Sequence, residues 1–157
     1  MPGDSGPLSR RDPRSGAEAD MLSRILEPFT EPVYAAMRIV VGVLFAFHGA
    51  QKILGVLTEQ QPAVGSQLWI GGVIELVGGL LIAVGFLTVW AAFLCSGTMA
   101  VAYVQFHWKG AFDENFFPVV NRGELALVYA FVFLFIACRG AGTASIDGAR
   151  RAPASSA

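Results

Sequence analysis

One stretch of the sequence limits the fold more than any other: the 33 consecutive residues between Glu75 and Lys109 contain no Asp, Glu, Lys or Arg. A helix needs about 20 apolar residues to cross a hydrocarbon core of roughly 30 Å. As one helix the run would be about 50 Å long, which is too long for a single crossing. It therefore predicts two membrane spans, and residues 85–88 (Gly-Phe-Leu-Thr) are the break, because glycine ends helices and threonine caps them.

Charge is concentrated outside the apolar part of the chain. Residues 33–138 hold nine charged side chains, and the flanks hold the other 14 of the 23. Only 15% of the chain is charged, whereas a soluble domain is about one quarter charged. We therefore predict an all-α polytopic membrane protein, a bundle of four transmembrane helices at about 33–54, 68–85, 89–106 and 123–138.

The flanks are predicted to be tails. Residues 1–32 form an N-terminal tail, residues 33–138 the transmembrane domain and residues 139–157 a C-terminal tail, with disorder expected over the first 18 residues and after residue 149. A short amphipathic helix at about 20–28, broken at Pro28, is expected to lie on the membrane surface. The tails carry seven arginines, against at most three basic residues in the loops on the other side, which places both termini in the cytoplasm.

Several classes of function are disfavoured. A net charge of −1 without a basic cluster argues against nucleic-acid binding. Two cysteines 43 positions apart make no CxxC motif, and no His/Glu spacing is typical of a metal site, so we predict none. Haem ligation by His48 and His107 would need both imidazoles in one cavity, and we do not favour it.

The polar residues in and beside the spans form the candidate ligand-binding cluster. His48, Gln51 and Lys52 share one helix face at i, i+3 and i+4. In an antiparallel bundle all members except Arg38, about 15 Å nearer the cytoplasm, meet in the outer half. The cluster comprises Arg38, His48, Gln51, Lys52, Glu75, His107, Asn121 and Glu124.

Glu75 is the member hardest to explain as a structural residue. A carboxylate roughly 10 Å deep costs about 2.5–3.5 kcal/mol unless it is paired or protonated. Lys52, His48 or Arg38 could pair with it. The glycines around it would let a neighbouring helix approach closely; they are Gly71, Gly72, Gly78 and Gly79.

The other members have simpler interpretations. Lys52 could extend to the interface, and Arg38 could anchor its helix at the inner surface. Asn121 and Glu124 have the Asn-x-x-Glu spacing of a capping box. His107 and Trp108 could belong to an interfacial aromatic belt.

A series of motifs over roughly residues 37–147, about 70% of the chain, resembles the DoxX family of small bacterial membrane proteins with four helices. Two departures are Val89, where the family often has a basic residue, and Arg122, where it often has glycine. The motifs are Arg38, His48-Gly49-x-Gln51-Lys52, Glu75-x-x-Gly78-Gly79-Leu80, Gly85-Phe86-Leu87-Thr88, His107-Trp108, Asn121-x-Gly123-Glu124-Leu125 and Ser145-Ile146-Asp147.

The resemblance implies a multi-pass protein of the bacterial inner membrane that contacts the lipid bilayer. It also implies partner subunits of a membrane oxidoreductase complex, with a quinone as the candidate cofactor. We expect the polar cluster to bind a quinone or a similar small ligand, with protons moved by Glu75 and a histidine. Whether the chain is itself an enzyme stays open.

Two other classes of function remain. One is a non-catalytic scaffold or partner-binding protein, whose buried charges fix the packing of its helices. The other is a subunit of a small-solute transporter, which would need a homo-oligomer because four spans are few.

Overall fold

The computed structural model describes residues 13–151, with side chains described for residues 20–151. Its regular elements are all helical, so the all-α prediction is confirmed for this part of the chain. A π-helical segment, Tyr103–Trp108, continues α4, and 3-10 turns cover Glu27–Phe29 and Glu114–Phe116. The α-helices are α1 (Pro13–Leu26), α2 (Thr30–Leu54), α3 (Gln67–Val84), α4 (Thr88–Ala102), α5 (Pro118–Asn121), α6 (Glu124–Arg139) and α7 (Ile146–Arg151).

Three of the predicted spans are confirmed as helices of sufficient length and hydropathy to cross a membrane. They are the continuous helical stretch Asp20–Leu54, the helix Gln67–Val84 and the stretch Thr88–Trp108. Helix α6 coincides with the fourth predicted span but has 16 residues, about 24 Å at 1.5 Å per residue. Because that is shorter than a usual crossing, the count of four spans stays a prediction.

The N-terminal helix starts earlier than the sequence predicted. Helix α1 begins at Pro13 and ends at Leu26, and a 3-10 turn that contains Pro28 joins it to α2, so the α-helix is interrupted at Pro28 while the helical path continues. Proline is tolerated there because it lies in the first turn of the 3-10 segment, where its missing N–H has no partner to lose. Disorder was predicted for the first 18 residues and after residue 149, and this is wrong for residues 13–18 and 150–151, which are helical. The rest of those two segments, residues 1–12 and 152–157, lies outside the described residues.

Glycines hold α2 and α3 in close contact. A Cβ on Gly42 would lie 2.6 Å from the carbonyl oxygen of Gly79, and one on Gly72 would lie 2.8 Å from Lys52 Cβ. Of the other glycines predicted to let a neighbouring helix approach, Gly78 does so against Cys95 of α4, whereas Gly71 has no atom within 4 Å of a Cβ position. The close approach therefore depends on both helices, and the glycines of α2 were missed.

Helices α4 and α6 form the second closely packed pair. The centre of the bundle is filled by aromatic rings from α2 and α6. The ring of Phe45 lies 4.6 Å from that of Phe133 and 5.2 Å from that of Tyr129. Aromatic rings therefore separate α2 from α6 at the centre of the bundle, whereas glycines let α2 and α3 lie close together.

Arg38 and the segment 140–147 close the end of the bundle at which α3 ends and α4 begins. The Arg38 guanidinium donates to the carbonyl oxygens of Ile82 (2.6 Å), Ala83 (3.2 Å) and Ala144 (2.6 Å). The side chain is 1% exposed. Arg38 therefore donates to carbonyls at the C-terminus of α3, of which that of Ile82 also accepts the Gly85 N–H. The helix dipole favours a cation at this end.

Asp147 caps α4, a role that the sequence had assigned to Thr88. Its carboxylate accepts the N–H of Leu87 (3.1 Å), the N–H of Thr88 (2.9 Å) and the Thr88 hydroxyl (3.0 Å). Gly85 ends α3 with φ +71°, as predicted. Thr88 is instead the first residue of α4, because a carboxylate from a distant part of the chain satisfies the free N–H groups there.

Candidate functional site

A cavity of about 640 Å³ lies among α2, α3, α4 and α6, at the end where α2 and the α4 stretch finish and α3 and α6 begin. We call this end the cavity end. Four predicted cluster members line the cavity: His48, Lys52, Glu75 and His107. The structure thus brings together half of the predicted cluster, from three helical stretches.

Lys52 and Glu75 form an ion pair on the cavity wall. Lys52 Nζ lies 2.5 Å from Glu75 Oε1, and the two side chains are 34% and 4% exposed. The sequence left three basic partners open, and the structure selects Lys52. The second carboxylate oxygen, Oε2, is buried and has no hydrogen-bond partner among the described residues.

His48 and Tyr129 meet at the cavity wall. Their rings are T-shaped, with centroids 6.2 Å apart, and both residues line the cavity. Tyr129 was missed because a single tyrosine in an apolar helix is ordinary. Its hydroxyl was the available signal, since a phenol within a span usually has a polar partner.

The π-helical segment carries His107 to the cavity. The wider turn of a π-helix shifts the residues that follow around the helix axis, and such turns are frequent at functional sites. His107 Nδ1 lies 3.1 Å from the backbone carbonyl oxygen of Asn121. This contact connects the end of the α4 stretch to the loop before α6.

Asn121 acts through its backbone and does not line the cavity. Its side chain accepts the Gly123 N–H at 2.8 Å and donates to the Asn115 carbonyl at 2.8 Å. No capping box forms with Glu124, because α6 begins after Gly123 without a side-chain cap. Glu124 is consequently exposed.

Three further members of the predicted cluster lie away from the cavity lining: Arg38, Gln51 and Glu124. Arg38 is at the opposite end of the bundle, bonded to carbonyls. The sequence had placed Arg38 about 15 Å nearer the cytoplasm than the other members. At its position in α2 the nearest polar groups include the carbonyls at the end of α3.

Arg122 lines the cavity although sequence reasoning placed it outside the cluster. Its φ is +59°, the left-handed conformation that favours glycine. This explains why glycine is common at the position in the family that the sequence resembles. The arginine adds a cation at the cavity rim at the cost of backbone strain.

Most of the cavity wall is apolar, and part of it faces outward. Leu68, Phe93 and Leu94 line the cavity and are 46%, 63% and 55% exposed. Since these residues lie in helices long enough to cross a membrane, the cavity reaches the lipid-facing surface. Within residues 20–151, His, Cys, Asp and Glu form no group of three or more that could hold a metal ion.

Comparisons with known proteins agree with this architecture. The chain is 41% identical over 126 residues to a protein of Haemophilus influenzae described as "Uncharacterized protein", and the match covers 78% of this chain and 93% of that relative. No solved structure shows significant similarity to the chain. The family model named DoxX matches residues 33–108, which include the cavity residues of α2, α3 and the π-helical segment. The chain therefore belongs to the DoxX family and is a multi-pass membrane protein.

Proposed function

We propose that the cavity binds a small, largely apolar ligand with a polar ring or head, of the quinone class, and that the protein serves a membrane oxidoreductase complex as the subunit that holds this ligand. Glu75 and the histidines would exchange protons with the ligand. Lys52 would hold an oxygen atom. The protein would lie in a bacterial inner membrane with both termini in the cytoplasm.

The observation that carries the proposal is the second oxygen of Glu75. The side chain is 4% exposed, and Oε2 has no partner among the described residues, although it belongs to a cavity wall. A buried acceptor without a partner costs about 1–3 kcal/mol, and more when it is charged. A ligand hydroxyl placed in the cavity would remove that cost.

The apolar walls support a ligand that arrives through the membrane. Lys52 lies against Glu75, while leucine and phenylalanine side chains of the cavity wall face outward. A lipid-soluble molecule would enter between the helices without crossing water. Binding sites of this kind, mostly apolar with a few placed polar groups, are typical for small ligands.

The test compares Glu75→Gln with Glu124→Gln, a matched control whose exposed carboxylate lies away from the cavity. The proteins are purified in nanodiscs and titrated with decylubiquinone and decylubiquinol, and quinone-dependent electron transfer is measured in membranes. We expect Glu75→Gln to weaken ligand binding about tenfold or more, because it replaces a charged hydrogen-bond acceptor, and Glu124→Gln to leave it unchanged. Full electron transfer in Glu75→Gln membranes would refute the proposal.

A scaffold is the second candidate, and one observation favours it. The Lys52–Glu75 pair joins two helices whose glycines already bring their backbones together. Such a pair would fix the relative register of α2 and α3. In this case the double variant Lys52→Met/Glu75→Met should still assemble with partner subunits and support their activity, since apolar replacement of a buried pair is often neutral.

A further inference from the structure

We infer that the cavity prefers the reduced, hydroxyl-bearing form of its ligand over the oxidised, carbonyl-bearing form, and that His107 is the residue that shares this selection with Glu75. The inference rests on the proposed function and adds which form of the ligand is held. It depends on two polar atoms, Glu75 Oε2 and His107 Nε2, both of which accept hydrogen bonds.

The carbonyl of Asn121 fixes the tautomer of His107. A carbonyl oxygen can only accept, so the 3.1 Å contact requires that Nδ1 carry the hydrogen. In the neutral ring Nε2 is then a bare acceptor. Among residues 20–151 no partner for Nε2 is found, and the side chain lines the cavity.

Glu75 supplies the second acceptor. Lys52 engages Oε1, and Oε2 is buried without a partner among the described residues, in a side chain that lines the cavity. A carbonyl oxygen of an oxidised ligand cannot donate to this atom and would face it as one acceptor against another. A hydroxyl can donate to it, as it can to His107 Nε2.

The donors at the cavity do not reverse this preference. Lys52 is 34% exposed and already bonded, and Arg122 is exposed. Water or lipid headgroups can therefore satisfy both cations when no ligand is present. The Gln67 amide donates to Gln105 and the Thr98 hydroxyl to the Leu94 carbonyl. The Tyr129 hydroxyl and the His48 ring can each donate or accept, so they favour neither form of the ligand. Glu75 Oε2 is buried, so a ligand hydroxyl that donates to it gains more than a donor to an exposed group would.

The first test reads the tautomer directly. The chain has two histidines, so His48→Gln, purified through a tag without histidine, leaves His107 as the one imidazole. Nitrogen-15 spectra of this protein in nanodiscs at neutral to mildly alkaline pH should show a protonated Nδ1 and a bare Nε2. A protonated Nε2 would overturn the inference.

The second test compares ligand forms on the wild-type protein. Decylubiquinol, kept reduced without oxygen, should bind about tenfold more tightly than decylubiquinone or the dimethyl ether of decylubiquinol, which has lost both donors. The variant His107→Phe should weaken decylubiquinol binding about fivefold or more and change decylubiquinone binding less than about twofold. Addition of decylubiquinol should shift the Nε2 resonance of His107.

The outcomes separate the two proposals. Equal affinities for the reduced and oxidised forms would overturn the preference and leave the proposed function in place. Absence of binding by either form would overturn the proposed function and this inference with it. Preserved selectivity in His107→Phe would overturn the part assigned to His107.

Discussion

Replacement of Gly49 by alanine tests the close packing of α2 on α3. A Cβ at this position would lie 2.6 Å from the carbonyl oxygen of Gly72 and 2.7 Å from Leu76 Cα. Non-bonded atoms are comfortable at about 3.5 Å, so the helices must part by at least roughly 0.8 Å at this level, and by more where the Leu76 nitrogen lies closer still. Overpacking costs about 1–3 kcal/mol, and the preference of alanine for helices returns about 0.5–1 kcal/mol. We expect a net loss of about 1–2 kcal/mol.

The assay is thermal unfolding in a mild detergent, monitored by circular dichroism. For a chain of this size 1 kcal/mol lowers the Tm by about 2–4 °C, so Gly49→Ala should unfold about 2–8 °C below the wild type. Gly71→Ala is the matched control, because the space around that Cβ is open. Its Tm should be unchanged or slightly higher.

The loss should also reach the ion pair. Lys52 lies one turn beyond Gly49 on α2, and it contacts Glu75 at 2.5 Å. Helices that part at Gly49 therefore lengthen this contact, and the ligand affinity should fall with the Tm. Equal Tm values for Gly49→Ala and Gly71→Ala would refute the packing described for this interface.

The remaining predictions concern the closed end and the membrane topology. Arg38→Gln should lower the Tm by several degrees, because the shorter side chain no longer reaches the Ala83 and Ala144 carbonyls. Arg139→Ala breaks an exposed ion pair and a contact with the Tyr34 ring, and should lower the Tm by less than Arg38→Gln does. Equal losses would contradict the role of Arg38. Burial raises the pKa of Asp147, but hydrogen bonds from Thr88 and Leu87 outweigh burial and hold that pKa below its ordinary 3.8. The stability that Asp147 contributes is therefore present above pH 3.8 and is lost as the pH falls through the lowered pKa. The free energies of unfolding of the wild type and Asp147→Asn should converge below that pKa. A difference that stays constant with pH would contradict this. Alkaline phosphatase should be inactive when it is fused after residue 151 and active when it is inserted within residues 109–117. The reverse pattern would show that the predicted topology is inverted.

The helices were largely predictable because lipid imposes a simple rule on sequence. The first three spans were predicted to within a few residues. The differences are that α2 already starts at Thr30 and that a π-helical segment extends α4. A buried Glu75 with a basic partner also followed from the cost of an unpaired carboxylate in the membrane. The sequence could not show that Lys52, and not His48, pairs with Glu75. The two basic residues share one face of α2, and only their level along the helix relative to α3 distinguishes them.

Contacts between distant parts of the chain were beyond the sequence pattern. Arg38 was assigned to the cluster because helical periodicity gives the face of the helix on which a residue lies. It does not give the group of a neighbouring helix that the side chain contacts. The approach of Asp147 to Thr88 joins residues 59 positions apart, and no local signal marks it. The π-helical turn before His107 likewise results from packing, because its residues are compatible with an ordinary helix.

The contacts of segment 140–147 have a consequence for the order in which the protein matures. Until the ribosome has made this segment, Arg38 lacks the Ala144 carbonyl and the N-terminus of α4 lacks the Asp147 carboxylate. Tyr34 likewise donates to the Gly140 carbonyl at 2.5 Å. The long helices are therefore inserted into the bilayer before one end of their bundle can close. A protein truncated before residue 140 should be more accessible to quality-control proteases than one that extends through residue 151.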